Sequence, residues 1–398
     1  MSQFTEVVIA SACRTPIGAF NGALSSFAAP QLGSIAIKEA LQRAGLTGKD
    51  VSEVIMGEVL TAGVGQAPAR QAAIGAGIPN SVPCMTINKV CGSGLKAVML
   101  AAQAIMVGDA EIVVAGGMES MSNAPYLLDK ARNGYRLGHG ELLDSMIKDG
   151  LWDVYNNFHM GNAAELCAKE CNVPRAAQDE FAILSYKRAL DAQKNGYFKE
   201  EIVPVVFQQK KGEPLIVAED EEPKKANFEK MATLKPVFQK DGTVTAANAS
   251  KINDGAAACV VMSKDRAKKL GIEPLGTIVA QASAARAPEW FTMAPADAIR
   301  RVLDRAHLQL GDVDLFEFNE AFAVVNLAVG KELGIDSDKV NVHGGAVALG
   351  HPIGASGARV LTTLLYAMKQ YGKKRGLATL CIGGGEASAV IVERQIQP

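Results

Sequence analysis

One pattern occurs twice in this sequence, 262 to 267 positions apart, and it restricts the possible folds more than any other feature. Leu41-Gln42-Arg43-Ala44-Gly45-Leu46 leads to Asp50-Val51-Ser52-Glu53-Val54, and Leu303-Asp304-Arg305-Ala306-His307-Leu308 leads to Asp312-Val313-Asp314-Leu315. Glu58 and Glu320 match at the same offset. Ser93-Gly94-Leu95-Lys96-Ala97 then matches Ser356-Gly357-Ala358-Arg359-Val360, and Val113-Val114-Ala115-Gly116-Gly117 is aligned with Leu380-Cys381-Ile382-Gly383-Gly384. Each half reads as helix, short apolar strand, glycine turn, helix, apolar strand, Gly-Gly. That alternation predicts βαβ units, a mostly parallel sheet and a duplicated α/β domain.

The middle of the chain has another texture. From about Ser122 to Ser250, charged amphipathic stretches replace the Gly-rich apolar ones. Pro174-Arg175-Ala176-Ala177-Gln178-Asp179-Glu180-Phe181 predicts a helix start, with Pro in the first turn and acids following. Gln209-Lys210-Lys211-Gly212-Glu213-Pro214 reads as a turn, and Glu219-Asp220-Glu221-Glu222-Pro223-Lys224-Lys225 as a solvated loop. This insertion is expected to lie over the two sheets and cover something.

Charge excludes some functions. Lys and Arg number 41 against 42 Asp and Glu, so nothing points to nucleic acid or a membrane surface as the main partner. No apolar run of about 18 residues lacks a charge or glycine break, so no membrane span is expected. Glu6-Val7-Val8-Ile9-Ala10 already reads as a strand, so neither a secretory signal nor a presequence is expected; Gln395-Ile396-Gln397-Pro398 does not read as a peroxisomal tripeptide. The seven cysteines are odd in number and sparse, which predicts reduced thiols in a cytoplasmic compartment.

Four glycine-rich turns are candidates for chemistry. Ala62-Gly63-Val64-Gly65 fails as a dinucleotide site, because no Asp or Glu follows between it and Gly108 to hold a ribose. In Asn88-Lys89-Val90-Cys91-Gly92-Ser93-Gly94, Cys91 opens an uncharged helix expected to be buried. A lone Cys is ordinarily a small core residue. Here the helix N-terminus favours a thiolate and the flanking glycines leave room for a substrate, which makes Cys91 a candidate nucleophile. Gly350-His351-Pro352-Ile353-Gly354-Ala355-Ser356-Gly357 occupies the matching helix start. His351 there reads as a base for Cys91 or as a histidine satisfying a turn. In Cys381-Ile382-Gly383-Gly384-Gly385 the backbone N–H groups suit an oxyanion, while Cys381 taken alone reads as structural. Cys13, Cys84 and Cys259 read as core. Cys167 and Cys171, four apart on an expected helix, lack a second pair and read as packing, so no metal site is expected.

Together these motifs resemble the thiolase family, and its short-chain members most. The likeness runs from Ser11-Ala12-Cys13-Arg14-Thr15-Pro16-Ile17-Gly18 through Val90-Cys91-Gly92-Ser93-Gly94, Asn319-Glu320-Ala321-Phe322 and Gly350-His351-Pro352 to the Cys381 turn. It implies two pseudo-symmetric βαβ core domains with mixed sheets, layered α/β/α/β/α, plus an inserted loop domain. The implied divisions are 1–121 and 252–274 for the first core half, 122–251 for the CoA-covering insertion and 275–398 for the second half. The implied reaction is a reversible, ping-pong Claisen condensation of two acetyl-CoA to acetoacetyl-CoA and CoA. Cys91 is implied to be acylated, His351 to take its proton and Cys381 to remove the α-proton of the second acetyl-CoA. Asn319, through a water, and His351 are implied to hold that substrate's oxygen, and the N–H groups of Cys91 and Gly383 that of the acyl-enzyme. Substrate contacts are implied for His159, Met160, Leu234, Phe238, Ala246, Ser250, Ala321 and Phe322. Coenzyme A enters as substrate or product, no cofactor is bound permanently, and a homotetramer is implied.

Met160 reads either as a residue narrowing the acyl site or as core packing. Lys224, Lys225 and Lys230 read either as CoA-phosphate contacts or as a solvated loop. His343 stands where many relatives have Asn. The rival readings are a ketoacyl synthase, which lacks a second catalytic Cys, a degradative 3-ketoacyl-CoA thiolase of broader range, and a non-catalytic acyl-CoA binding protein.

Overall fold

The computed structural model describes residues 5–207 and 212–395, so Gln209, Lys210 and Lys211 of the expected turn, and Ile396, Gln397 and Pro398, lie outside the described residues. One half contributes β1 (Val7–Arg14), β2 (Glu53–Gly57), β3 (Cys84–Ile87), β4 (Ile112–Ser120) and β5 (Asn253–Ser263). The other contributes β6 (Gly276–Ala285), β7 (Leu315–Phe318), β8 (Arg375–Ile382) and β9 (Glu386–Glu393). Their orders are β3-β2-β4-β5-β1 and β7-β8-β9-β6. The two sheets touch where Val8 and Ile9 of β1 pair with Thr277 and Gly276 of β6. A parallel bridge from Phe316 to Val340 takes the place that β3 has in the first half.

The sheets are mixed, which corrects the mostly parallel arrangement expected from the alternation alone. β2 runs parallel to β3 and β4, but β5 is antiparallel to β4 and β1. Likewise β8 is parallel to β7 and antiparallel to β9. The reason is chain length: only Gly383-Gly384-Gly385 joins β8 to β9, far too little for a parallel crossover. Register corrects the repeat as well. Met56 pairs with Gly116, and Phe318 with Thr379, so Gly116 and Gly117 correspond to Thr379 and Leu380 rather than to Gly383 and Gly384. The Gly383 turn is thus an addition beyond the repeated strand.

Seven helices matter for the site: α1 (Ala29–Arg43), α2 (Ser93–Val107), α3 (Met160–Glu170), α4 (Arg175–Asn195), α5 (Ala294–Ala306), α6 (Ala323–Leu333) and α7 (Ser356–Gln370). α1 covers the outer face of the first sheet and α5 that of the second, while α2 and α7 pack on each other between the sheets. This gives the α/β/α/β/α layering. A helix between two sheets must be apolar nearly all round. That explains why Val90–Val107 is apolar enough over 18 residues to cross a membrane by composition, although 56% of that stretch is buried inside the fold. α3 and α4 lie against α6, and α4 also against the short turn Ala346–Leu349.

The charge run Glu219–Lys225 is not a solvated loop. Asp220 is fully buried and accepts two bonds from the buried Arg14 guanidinium, at 2.7 and 2.9 Å, while Glu201 takes Arg14 Nε at 2.6 Å. Glu221 accepts the N–H groups of Ala19 and Ala23 at 2.8 and 3.0 Å. Asp220 and Glu221 satisfy the Arg14–Ala23 segment, while Glu219, Lys224 and Lys225 face water, with Lys224 beside Glu219 and Lys225 beside the buried Glu222. Cys84 is half-buried on the edge strand β3 and so differs from the fully buried Cys13 and Cys259. His343 is buried too, stacked on Tyr197 at 5.0 Å with both ring nitrogens unpartnered.

Candidate active site

Cys91 sits in a turn held under strain. Val90, a β-branched residue, has φ +47°, a conformation costing on the order of 1–3 kcal/mol. Asn88 Oδ1 accepts Val90 N–H at 2.9 Å, and Ser93 Oγ accepts Lys89 N–H at 2.8 Å while donating to Val90 O at 2.7 Å. A Cβ on Gly92 would lie 2.3 Å from Ile382 Cδ1, so a side chain there would displace Ile382. The end of β8 is therefore pressed against the Cys91 turn, and the nearby backbone N–H groups of Gly383 and of Cys91 itself favour the ionised form of the Cys91 sulfur.

These N–H groups pull the thiol toward ionisation, but burial outweighs them and pushes Cys91 up to about 11. The helix N-terminus does not make it a resting thiolate, as its position in the sequence had suggested. For this sulfur to act as a nucleophile, a base must take its proton. Cys381, fully buried at the end of β8, is held well above the ordinary thiol range by burial and by its proximity to Cys91.

His351 is buried and neutral: burial, with the Arg359 charge adding to it, lowers it to about 3. Ser356 Oγ donates to Pro352 O at 2.9 Å and so accepts the Nδ1 proton of His351 at 2.5 Å. Nε2 then carries the lone pair and accepts a hydrogen bond from Asn319 Nδ2 at 3.3 Å. Asn253 Oδ1 accepts His351 N–H at 2.9 Å, and Gly350, at φ +110°, is required there because a Cβ would meet Asn253 at 2.4 Å. Asn319 Oδ1 is buried without a partner in the protein. Ile353, two residues beyond His351, packs in the same apolar cluster as Cys91.

The matches to known proteins cover almost the whole chain. The family models for the N-terminal and C-terminal domains of thiolase match residues 7–265 and 272–394. The chain belongs to the thiolase family. Among its relatives is an acetyl-CoA acetyltransferase of Cupriavidus necator, 59% identical over 98% of this chain and 100% of that protein. Another, with the same name, from Schizosaccharomyces pombe is 53% identical over 98% of this chain and 99% of its own. A probable acetyl-CoA acyltransferase of Staphylococcus aureus is 50% identical over the same shares.

The thiolase fold brings most of the expected contact residues toward one wall. His159 caps α3, accepting Gly161 N–H at 3.1 Å, and its ring stacks on Phe238 at 4.7 Å. Phe238 meets Phe322 edge-on at 6.2 Å. Ser250 N–H donates to Ala321 O at 2.9 Å, which joins the end of the insertion to the Asn319 loop. Met160 shares an apolar cluster with Ala321, Phe322 and Cys381 and lies 3.8 Å from where a Gly383 Cβ would stand. Ala246 is exposed, and Leu234 packs in a different cluster, with Met231 and Ala247. Among the described residues no cluster of three or more His, Cys, Asp or Glu is arranged for a metal, and all seven cysteines are free.

Sequence reasoning missed the support of these groups. Ser356 and Asn253 orient His351, and Glu165 on α3 accepts the N–H groups of Thr243 and Val244 at 2.8 Å each, tethering the segment that carries Ala246 and Ser250. Ser356 stood within a quoted motif, but pairing with a ring five residues away has no sequence signature.

Proposed function

We propose that this thiolase is an acetyl-CoA C-acetyltransferase, interconverting two acetyl-CoA with acetoacetyl-CoA and CoA through an acylated Cys91. One feature carries the reading: two thiols, Cys91 and Cys381, are close enough for charge on one to hold back ionisation of the other, beside the glycine turn whose Gly383 N–H, with that of Cys91, favours the Cys91 thiolate. His351 Nε2 takes the Cys91 proton as the sulfur attacks the first thioester carbonyl, and CoA leaves as the thiol. The two N–H groups then face the oxyanion, where each donor is worth about 3–4 kcal/mol.

Acylation turns Cys91 into a thioester that cannot ionise, so a Cys91 thiolate no longer opposes the ionisation of Cys381. Cys381 passes its proton to His351 Nε2 and, as the thiolate, takes the α-proton of the second acetyl-CoA; the carbanion attacks the Cys91 thioester carbonyl, and the released Cys91 sulfur regains a proton from His351 as acetoacetyl-CoA forms. His351 and Asn319 hold the enolate oxygen during this step; the unpartnered Asn319 Oδ1 suits the implied water. Thiolysis runs the same steps backwards.

His159, Met160, Leu234, Phe238, Ala246, Ser250, Ala321 and Phe322 are proposed to contact the CoA thioester. Met160 beside Gly383 favours short acyl groups over the broad-range alternative. The segment 122–251 is proposed as the CoA-covering insertion between core portions 1–121 and 252–274, with 275–398 as the second core half. A homotetramer is supported by the exposed apolar side chains Tyr126, Leu137 and Leu142 and by the open edge of β3. Free thiols fit a cytoplasmic setting, and the balanced charge fits a protein whose partners are acetyl-CoA, acetoacetyl-CoA and CoA rather than nucleic acid or membrane.

The test is the absorbance of the magnesium enolate of acetoacetyl-CoA on adding CoA, for wild type, Cys91→Ala and Cys381→Ala. Loss of signal in wild type alone supports the two-cysteine mechanism. Activity surviving in Cys381→Ala returns that residue to a structural role, and no loss in wild type removes the proposed substrate.

A further inference from the structure

Lys251 follows Ser250, and its ammonium is turned inward. Nζ donates to Ala249 O at 2.8 Å and to Val347 O at 3.2 Å, and it stands 5.6 Å from the centre of the Tyr186 ring. Glu222 and Glu320 face it with negative charge. Val347 is gripped from its other side as well: its N–H donates to Glu320 Oε2 at 3.1 Å. That carboxylate also accepts Ser185 Oγ and Asn341 Nδ2, each at 2.7 Å.

Each gripped segment adjoins a residue of the site. Ser250 precedes Lys251, Asn319 precedes Glu320, and Val347 stands four positions before His351. Two carbonyl oxygens from residues 98 positions apart, Ala249 and Val347, converge on one point, and oxygens so placed repel each other unless a cation lies between them. The ring face of Tyr186 strengthens the hold. We propose that Lys251 is a positioning residue, whose ammonium locks the Ala249–Ser250 segment that contacts the CoA thioester to the loop that carries His351. Burial lowers the ammonium to about 8 while Glu222 and Glu320 hold it up, so it is charged at neutral pH. The identity of the ligand at Ser250 rests on the function proposed above.

The experiment compares wild type, Lys251→Met and Lys251→Gln by KM and kcat for acetoacetyl-CoA thiolysis, with ammonium chloride or tetramethylammonium chloride at equal ionic strength. Methionine keeps the stem without the charge, and glutamine keeps a donor without the charge. Both variants are expected to raise KM about tenfold with a smaller change in kcat. Ammonium, small enough for the vacated carbonyl pair, is expected to recover most of the loss in Lys251→Met, and tetramethylammonium none. An unchanged KM in either variant overturns the proposal, as does a loss that ammonium fails to recover or that both salts recover equally. Should one variant fail to fold, the other carries the comparison. Absence of wild-type turnover refutes the proposed activity instead, and the lock is then read from CoA affinity by calorimetry on the same proteins.

Discussion

Gly94 and Gly357 face each other where α2 crosses α7. A Cβ on Gly94 would stand 2.7 Å from Ala358 N, and one on Gly357 would stand 2.3 Å from Leu95 N. The two glycines are equivalent in the repeat, so the contact is nearly its own image under the pseudo-twofold relation. It lets two helix N-termini meet backbone to backbone, which brings the Cys91 turn against the His351 loop.

Adding a methyl group at that crossing is therefore expected to be costly. Gly94→Ala and Gly357→Ala should each lose about 1–3 kcal/mol or more, because the opposing atoms are backbone and cannot move aside. Gly330 on α6 has open space around its Cβ position, so Gly330→Ala should gain about 0.5–1 kcal/mol. Denaturant titration of the three variants separates crowding from helix propensity; effects of one sign throughout would contradict the crossing argument.

Ser356 fixes which nitrogen of His351 carries the proton. Ser356→Ala should lower kcat for thiolysis on the order of tenfold or more with little change in KM, since the ring loses its tautomer partner but the pocket keeps its shape. Steady-state kinetics decide this. Equal kcat in the variant would mean that burial alone orients the ring.

Glu58 is fully buried, and neither of its carboxylate oxygens has a protein partner. Burial, with the nearby Glu119 adding to it, raises it to about 8. Between about 4.3, the ordinary value, and 8 the folded chain keeps a proton that the unfolded chain has lost. The group's contribution is full below the ordinary value and declines as pH rises toward 8. Glu58→Gln removes that penalty, so its melting temperature should match wild type near pH 5 and exceed it near pH 8. A constant difference across that range would show that Glu58 is ionised in the fold.

The charge run around Asp220 gives a paired comparison. Asp220→Asn leaves the buried Arg14 guanidinium short of a charge partner and should cost about 3–5 kcal/mol. Glu219→Gln breaks an exposed pair with Lys224 and should cost about 0–1 kcal/mol. Thermal melts of both, read against wild type, check the ratio. Similar losses would restore the solvated-loop reading.

Several features were legible before any coordinates. The offset matches at Leu41 and Leu303, and at Ser93 and Ser356, marked a duplicated α/β architecture, and the glycine-flanked Cys91, His351 and Cys381 marked the turns from which the candidate site is argued. Strand direction at β9 and the true partner of Gly116 were not legible, because a three-glycine turn and a four-residue slip look alike in a linear pattern. Asp220 was misread for a related reason: its Arg14 partner lies 206 positions away, and a run of acids carries no mark of which one turns inward.

The sequence by itself determined the repeat, the apolar middle helix and the residue types able to do thioester chemistry, because each of these is a local pattern of side chains. Only the tertiary structure decided the state of those groups. Burial makes Cys91 a thiol and His351 a neutral base; Ser356 chooses the tautomer; Lys251 and Glu320 hold distant segments in register. Each of these depends on which atoms the fold removes from water and which distant partners it supplies in exchange, and no local pattern encodes that.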